Sequence, residues 1–250
     1  MFDLHTFDGK RILITGAGSG IGKASAQLLA SLGAEIILVG RNADKLSDTA
    51  HQIGNDRVEC IALDLCAFDQ YGLLFDKSIN KGKLDGLLHC AGIAKPTPVK
   101  ALSMTSVTEL FATNLFSFFM LTKWFSKKKY SNDGASIVAC SAVNVHYPQK
   151  CMCVYEASKG GLESAVRGMA EELYTGRKLR INALVIGPVV TPMAGFPDGD
   201  LRAVGMHSDV TPNLMGMASP AAIASMAAFL LDDSSAYTTG RNFYVDGGRL

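Results

Sequence analysis

The stretch Arg11–Gly22, with the sequence RILITGAGSGIG, decides the fold of this 250-residue chain. Its first five residues form a compact apolar run typical of a β-strand, and four glycines follow before a helical pattern begins. Glycines let the backbone turn tightly and approach a ligand, and the helix N-terminus behind them presents free N–H groups to an anion. The stretch therefore predicts a strand, a pyrophosphate-binding turn and a helix. The residues assigned to this turn are Gly16, Gly18, Ser19, Gly20, Ile21 and Gly22.

Beyond this stretch, short apolar runs alternate with longer helical patterns. The runs are apolar on both faces, as strands of a parallel sheet covered by helices are. The sequence therefore predicts one α/β domain over 1–250, a Rossmann-type doubly wound parallel sheet of about seven strands with helices on both faces. Its strands are expected at 11–15, 35–39, 58–63, 84–89, 136–140, 179–185 and 243–245, and its helices at 21–32, 43–53, 104–128, 152–175 and 221–231.

The segment 192–218 interrupts this alternation. It combines several prolines and glycines with large apolar side chains, which a polar disordered segment would not carry. Long loops in compact domains are usually functional. We interpret the segment as a lid that closes on an apolar substrate, the alternative being a surface excursion packed on the core.

Composition excludes several classes of protein. Hydrophobic residues make up 48% and charged residues 19%, which is incompatible with a disordered or fibrous chain. The formal net charge of +1 favours neither nucleic acid nor an anionic membrane as a partner. The N-terminus lacks the basic n-region of a secretory signal, and no uninterrupted apolar run approaches the ~18 residues of a membrane span. We expect a cytoplasmic protein.

The six cysteines give no metal-binding pattern. None belongs to a C-x-x-C pair, and no histidine cluster lies near them in the sequence. The close pair Cys151 and Cys153 would fill only half of a tetrahedral site. We predict free thiols in a reducing compartment and no metal site.

Tyr155 and Lys159 form the most telling pair for chemistry. Residues four apart share one face of a helix, where the ammonium can lower the phenol's pKa from its usual value of about 10. A tyrosine tuned in this way can give or take a proton near neutral pH. The spacing alone also occurs on many solvated helices. Its weight comes from the glycine turn, Asn114 and Ser141 before it.

The end of the second predicted strand should select the cofactor. An acid there would bind the ribose hydroxyls of NAD, whereas an arginine suits the 2′-phosphate of NADP. The sequence has Arg41 and no acid at the strand tip, so we predict NADP(H) in preference to NAD(H). A solvated loop role for Arg41 would leave the preference open. Asp64, after the third strand, could accept from the adenine amino group or act as a helix N-cap.

These motifs together resemble the short-chain dehydrogenase/reductase family, from about Gly9 to Gly248. The resemblance extends to Asp64-Leu65, Ala91-Gly92, the segment from Asn182 to Thr191 and Gly240 with Val245-Asp246-Gly247-Gly248. Three motifs depart from the family pattern. The usual Pro-Gly after the sixth strand appears as Ile186-Gly187-Pro188. His89-Cys90 replaces the two asparagines of its Asn-Asn-Ala-Gly motif, and Cys140 stands where a second serine is common before Ser141.

The resemblance implies a role for each matched residue. Asn114, Ser141, Tyr155 and Lys159 would form the catalytic tetrad, with Tyr155 as proton donor or base and Ser141 donating to the reacting oxygen. Lys159 would hold the nicotinamide ribose, and Asn114 would anchor a water linking Lys159 to solvent. Alone, Asn114 would be interpreted as a buried polar residue and Ser141 as a strand-end cap. The remaining implied cofactor contacts are Asp64, Leu65, Ala91, Gly92, Pro188, Val189 and Thr191.

The substrate wall should come from the chain between Ser141 and Tyr155 together with the lid. Its candidates are Asn144, His146, Tyr147 and Cys151. The wall and lid are mostly apolar and carry no Arg or Lys cluster. We predict hydride transfer between nicotinamide and a ketone or secondary alcohol of a moderately apolar small molecule, as in 3-oxoacyl reductases or related carbonyl reductases.

Two alternatives remain at this stage. A non-catalytic NAD(P)-binding sensor or structural protein could use the same fold, and a dehydratase or epimerase would be a rival enzyme class. An assembly is also expected, because the long predicted helix carries Phe116, Phe119, Trp124 and Phe125 around much of its circumference. The family resemblance implies a homotetramer, or a homodimer.

Overall fold

The computed structural model describes residues 6–54, 56–196 and 213–248. Seven parallel strands form one sheet in the order β3-β2-β1-β4-β5-β6-β7. The predicted doubly wound sheet of about seven strands is confirmed. The strands are β1 (Arg11–Thr15), β2 (Glu35–Gly40), β3 (Val58–Ala62), β4 (Leu84–His89), β5 (Ser131–Ala142), β6 (Arg180–Ile186) and β7 (Asn242–Val245).

Helices cover both faces of the sheet because the strand residues are apolar on both sides. One apolar cluster joins Leu13 to Phe118 and Leu162, and the other joins Ile12 and Ile14 to helices on the opposite face. The helices are α1 (Gly20–Ser31), α2 (Ala43–Ile53), α3 (Tyr71–Ser78), α4 (Met104–Phe111), α5 (Ser117–Phe125), α6 (Cys153–Arg177) and α7 (Pro220–Leu231).

The helix ends follow local capping rules. Asn42 begins α2 by accepting a hydrogen bond from the Lys45 amide, and Gly54 ends it with a φ of 68°. Ser219 caps α7 in the same way as Asn42 caps α2, with Pro220 at the first helical position. The α2 and α7 boundaries agree with the predicted ones to within one residue.

Three elements differ from the prediction. Helix α3 was not predicted, because its eight residues give only two turns of amphipathic pattern. Strand β5 begins at Ser131, five residues early, in a polar stretch that pairs with Leu84. The helix expected over 104–128 ends at Phe125 and contains a π-helical segment, Ala112–Phe116, between α4 and α5. Such segments often occur at functional sites.

The order of the sheet places a crevice at one edge. The chain runs outward in one direction from β1 and in the other from β4, so their carboxyl ends leave a gap between diverging connections. The glycine turn follows β1, Cys90-Ala91-Gly92 follows β4, and Ser141 lies near the end of β5. These segments therefore meet at the same edge although they lie up to 125 residues apart in sequence.

One helix, Met104–Phe125, has the length and mean hydropathy of a membrane-crossing helix. Its side chains Leu110, Phe118, Leu121 and Phe125 are buried inside the protein. Core helices of globular proteins meet the same criteria, so this helix is weak support for a membrane span.

Candidate active site

A cavity of about 240 Å³ lies against the glycine turn. It is lined by most of the residues that were predicted to hold the adenosine and pyrophosphate half of the cofactor. Of these, the lining residues are Gly16, Gly18, Ser19, Arg41, Asp64, Leu65, Ala91 and Gly92. Lys45, which the sequence reasoning did not single out, lines the same cavity and is exposed, as is Arg41.

The turn fits a pyrophosphate because two of its glycines leave no room for a side chain. Gly16 has a φ of 68°, and a Cβ there would lie 2.9 Å from the Ala91 amide nitrogen. A Cβ on Gly22 would lie 2.4 Å from the Gly16 carbonyl oxygen. The backbone is thus drawn tightly round the N-terminus of α1, where free N–H groups and the helix dipole favour an anion.

Asp64 is not a helix N-cap, because the next helical segment begins at Phe68 after Ala67. Its Oδ1 accepts a 2.9 Å hydrogen bond from the Cys66 amide, which stabilises the turn after β3. The carboxylate is exposed and still lines the cavity, so the adenine role stays a prediction.

A second cavity of about 390 Å³ adjoins the first, and Gly92 lines both. Three of the four tetrad residues, Ser141, Tyr155 and Lys159, line it. So do the predicted residues Ile21, Asn144, Pro188, Val189 and Thr191. The fold therefore joins the candidate catalytic residues to the candidate cofactor cavity.

Tyr155 and Lys159 lie one turn apart on α6, as predicted, but their electrostatics differ from the prediction. Burial raises the pKa of Tyr155 above its ordinary value, with the nearby Cys140 as a second cause. Burial also lowers the pKa of Lys159, whose Nζ donates a 2.7 Å hydrogen bond to the Cys140 carbonyl. Desolvation acts against the charged form of each group and is the main cause of both shifts, so the expected lowering of the Tyr155 pKa by Lys159 is not found.

Asn114 lies in the π-helical segment and outside both cavity linings. Its Oδ1 accepts from the Ile93 amide at 2.8 Å, and its Nδ2 donates to the Ile93 carbonyl and to Ser158 Oγ, each at 3.0 Å. This is the buried polar role considered in the sequence analysis. Asn114 and Lys159 nevertheless both lie next to Gly92. A Cβ atom built on Gly92 would lie 3.2 Å from Asn114 Oδ1 and 3.3 Å from Lys159 Nζ.

Ser141 has a partner that the sequence reasoning missed. Its hydroxyl donates a 2.6 Å hydrogen bond to Oε1 of Glu163, a side chain that is 2% exposed. Asn242 Nδ2 donates to Oε2 of the same carboxylate at 2.6 Å, and His146 Nε2 lies 3.0 Å from Oε2. The Ser141 hydroxyl thus donates its proton to Glu163 in this structure. The family resemblance had implied that this hydroxyl donates to the reacting oxygen of the substrate. A carboxylate four residues after Lys159 on a core-facing helix was the available signal.

The comparisons with known proteins agree with this geometry. A family model described as enoyl-(acyl carrier protein) reductase matches residues 16–249. The chain belongs to the short-chain dehydrogenase/reductase family. It is therefore an NAD(P)-dependent oxidoreductase that acts on an alcohol or carbonyl group.

Two curated relatives and one solved structure illustrate the match to short-chain dehydrogenases/reductases. Glucose 1-dehydrogenase of Gluconobacter oxydans is 31% identical, over 97% of this chain and 92% of its own. The 3-oxoacyl-[acyl-carrier-protein] reductase FabG of Thermotoga maritima is 31% identical, over 96% of this chain and 98% of its own. A glucose/ribitol dehydrogenase structure from Brucella melitensis superposes with a TM-score of 0.89 at 26% identity, covering 98% of both chains.

His89 shows how this short-chain dehydrogenase/reductase accommodates its departure from Asn-Asn-Ala-Gly. Its Nδ1 lies 2.9 Å from Thr15 Oγ1, and its ring stacks on Phe118 with centroids 5.6 Å apart. Burial, with a smaller contribution from the Lys159 charge, lowers the pKa of His89 to about 3. A neutral imidazole thus ties β4 to β1 beneath the cofactor crevice.

Three of the expected substrate-wall residues lie elsewhere. Among the described residues that line the second cavity, Asn144 is present, whereas His146, Tyr147 and Cys151 are not. His146 contacts Glu163 and the Tyr244 hydroxyl instead. The lid interpretation rests largely on 197–212, which lies outside the described residues, but Met193 and Ala194 line the cavity. Within the described ranges, no group of three His, Cys, Asp or Glu side chains could hold a metal.

Proposed function

We propose that this chain is an NADP(H)-preferring reductase or dehydrogenase for a neutral, moderately apolar ketone or secondary alcohol, built as one catalytic domain. The observation that carries the proposal is the contact between the two cavities at Gly92. It would put a dinucleotide held at the glycine turn within reach of Tyr155, Lys159 and Ser141. When bound, NADP(H) supplies or accepts the hydride.

The preference for NADP(H) is supported by two cations on the first cavity. Arg41 follows β2 directly and Lys45 lies in the first turn of α2, with both residues lining the space beside the glycine turn. A guanidinium and an ammonium together suit a 2′-phosphate. The carboxylate that would bind the ribose hydroxyls of NAD is missing from the tip of β2, where the sequence is Gly40-Arg41-Asn42.

The roles proposed for the cavity residues follow their positions. The glycine turn and the N-terminus of α1 hold the pyrophosphate, and Asp64 with Leu65 borders the adenine. Thr191 and the backbone of Pro188 and Val189 border the nicotinamide end. The methyl group of Thr191 also packs against the turn, because a Cβ on Gly20 would meet it at 3.2 Å.

Proton transfer is assigned to the hydroxyl group of Tyr155, a residue that lines the second cavity. Lys159, buried beside it, orients the cofactor ribose and carries the positive charge of the site. Asn114 positions the Ile93 backbone and the Ser158 hydroxyl next to Lys159, and a water anchored there would connect Lys159 to solvent. For Ser141 to donate to a substrate oxygen, its hydroxyl proton must turn away from Glu163. The Glu163 carboxylate would then keep its hydrogen bonds from Asn242 and His146.

The substrate class follows from the wall of the second cavity. Lys159 is the one charged side chain among its described lining residues. Apolar groups form much of the remainder, including Ala94, Pro96, Met152, Ile186 and Met193. Such a wall suits an uncharged, partly apolar molecule, since an acidic or phosphorylated substrate would find no cation besides Lys159, which is assigned to the cofactor ribose.

An assay with paired substrates tests the proposal. Purified protein is given NADPH or NADH with a panel of neutral apolar ketones and matched keto acids of the same size. We expect stoichiometric NADPH oxidation with members of the neutral set and little with the acids. Tight NADPH binding without turnover of any carbonyl would favour the non-catalytic sensor, and product formation without NADPH consumption would favour a dehydratase or epimerase.

We also propose that the protein is a cytoplasmic homotetramer or homodimer. Two of the four helix aromatics support an interface, since Phe116 and Phe119 are 44% and 41% exposed on neighbouring turns. The other two do not, because Phe125 is buried and Trp124 stacks on Phe75 within the core. All six cysteines are free thiols, as is usual in a reducing compartment. Sedimentation as a monomer at micromolar concentration would contradict the assembly.

A further inference from the structure

Cys90 and Cys140 come together at the floor of the second cavity. His89 pairs with Ala139 in the parallel register of β4 and β5, so the next residues of the two strands stand opposite each other. Their Sγ atoms lie 3.5 Å apart. Both residues line the cavity that holds Tyr155 and Lys159, Cys90 half-buried and Cys140 6% exposed. A small oxidant in this cavity would therefore meet both thiols.

We propose that Cys90 and Cys140 are an oxidisable dithiol, which a hydroperoxide converts into a disulfide that arrests the proposed oxidoreductase activity. Nothing in the hydride chemistry assigned to Tyr155 requires either sulfur atom. The proposal rests on the position of the two thiols, and its regulatory part rests also on the proposed function.

The geometry suits a cross-link between neighbouring strands. Directly opposite residues on adjacent strands stand about 5 Å apart at their Cα atoms, and disulfides form when that distance is about 4.4–6.8 Å. The thiols already face each other, so rotation of the side chains and a small strand movement would join them. Cys90 directly follows β4, and its amide donates a 3.3 Å hydrogen bond to the Thr15 carbonyl.

Lys159 favours the reactive form of Cys140. The Lys159 ammonium is held against the Cys140 carbonyl at 2.7 Å, next to both thiols. The hydrogen bond between the two cysteines and the Lys159 charge lower the pKa of Cys140 against the opposing effect of burial. The thiolate is the nucleophile in thiol oxidation, so a cationic neighbour promotes the reaction.

The reaction is balanced with one hydroperoxide per dithiol. The Cys140 thiolate attacks the terminal peroxide oxygen, the O–O bond breaks, and the alkoxide or hydroxide takes up a proton, leaving a sulfenic acid. The Cys90 thiol then attacks the Cys140 sulfur, the S–O bond breaks, and the oxygen leaves as water. Two thiols are oxidised by two electrons while the peroxide is reduced to an alcohol, or to water, with one further water released.

The cross-link would affect both halves of the site. The backbone of Cys90 and Ala91 packs against the glycine turn, since a Cβ on Gly16 would lie 3.0 Å from the Cys90 carbonyl carbon. The Cys140 carbonyl anchors Lys159, and Ser141 is the next residue. Drawing the two strand ends together would displace the pyrophosphate turn on one side and Lys159 with Ser141 on the other.

Peptide mapping tests the thiol chemistry without any activity assay. Reduced wild-type protein is treated with one equivalent of hydrogen peroxide, alkylated, digested without reductant and analysed by mass spectrometry. We expect a Cys90–Cys140 cross-linked peptide that disappears after dithiothreitol. Sulfinic acids at these positions, unmodified thiols, or cross-links confined to other cysteines would overturn the dithiol. The variant Cys66→Ser, altered at an exposed thiol, should give the same map as the wild type.

The regulatory part is tested on the same samples by NADPH binding and carbonyl turnover. Oxidation of the wild-type protein should abolish NADPH binding and carbonyl turnover, and dithiothreitol should restore them. Cys90→Ala protein should show no loss of binding or turnover that peroxide causes and dithiothreitol reverses. A complete cross-link with unchanged NADPH binding and turnover would overturn the regulatory role. If the reduced protein turns over no carbonyl, the proposed function fails. The peptide map still decides whether the dithiol forms a disulfide, and the NADPH titration still decides whether that disulfide affects the cofactor site.

Discussion

Ser141 Oγ donates a 2.6 Å hydrogen bond to Oε1 of Glu163, whose carboxylate is 2% exposed between α6 and the sheet. A buried carboxylate is stable only when donors surround it, and here Asn242 and His146 complete the set. The bond holds the Ser141 oxygen at the cavity wall near Tyr155. We therefore expect Glu163 to act as a positioning residue through Ser141.

Replacing Glu163 with glutamine keeps the shape of the side chain but removes its charge. One acceptor oxygen becomes an N–H₂ group, which would face the hydrogen-bond donors that surround the carboxylate. A hydrogen bond to a charged group contributes about 1.5–3 kcal/mol, so we expect Glu163→Gln to lower kcat by about tenfold or more. Steady-state kinetics of Glu163→Gln, Ser141→Ala and the double variant would measure the coupling. In the Ser141→Ala background, Glu163→Gln should have little further effect on kcat, whereas full additivity would show that Glu163 acts independently of Ser141.

The Tyr155 hydroxyl is expected to carry the proton transfer. Tyr155→Phe removes only this oxygen, so kcat should fall by about 10²–10⁴-fold while the NADPH dissociation constant stays nearly unchanged. Fluorescence titration with NADPH gives the control measurement on the same variant. Retention of near wild-type turnover would remove Tyr155 from its role.

Arg41 and Lys45 should set the cofactor preference. Arg41→Ala is expected to weaken NADPH binding by about 10–100-fold, because it removes charge-assisted hydrogen bonds to the 2′-phosphate, and to leave NADH binding unchanged. Lys45→Ala should act in the same direction with a smaller effect. Titrations with both cofactors check this prediction, and equal losses for NADPH and NADH would contradict it.

His89 should make the protein sensitive to acid. Its pKa falls from about 6.5 in the unfolded chain to about 3 in the folded protein, where it is fully buried. Between these values the unfolded state binds the extra proton, so the free energy of unfolding falls as pH decreases from 6.5 towards 3. From pH 7 to pH 5 this one group should cost about 2 kcal/mol.

Urea denaturation of wild-type and His89→Asn protein at pH 7 and pH 5 checks the effect of His89. Asparagine stands at this place in the family motif and does not titrate. The variant should lose less stability than the wild type between the two pH values. Equal losses in both proteins would place the acid sensitivity in other groups.

The glycine turn should not tolerate a methyl group at Gly22. A Cβ there would lie 2.4 Å from the Gly16 carbonyl oxygen, so the turn must open. We expect Gly22→Ala to destabilise the fold by about 1–3 kcal/mol and to weaken cofactor binding. Gly168→Ala on α6 is the matched control, because no atom lies within 4 Å of its Cβ position and alanine favours a helix by about 0.5–1 kcal/mol. Thermal unfolding and NADPH titration of both variants would separate the two effects.

Some of the site residues can be recognised from the sequence, whereas others depend on contacts between distant parts of the chain. Tyr155 and Lys159 could be paired from the sequence, because four residues of α-helix bring side chains onto one face. The roles of Ser141 and Asn114 could not be derived in the same way. Ser141 finds its acceptor 22 residues away on α6, and the Asn114 amide is used by Ile93 and Ser158.

By itself, the amino-acid sequence determined the parallel α/β fold, the glycine turn and the Tyr155–Lys159 pair, since strand apolarity, helix periodicity and glycine conformation are local properties. Only the tertiary structure decided that Glu163 takes the proton of Ser141, that burial raises the Tyr155 pKa, and that Cys90 and Cys140 meet. These contacts depend on strand register and on how deeply each side chain is packed. Both are set by interactions between residues far apart in the chain, which no local pattern records.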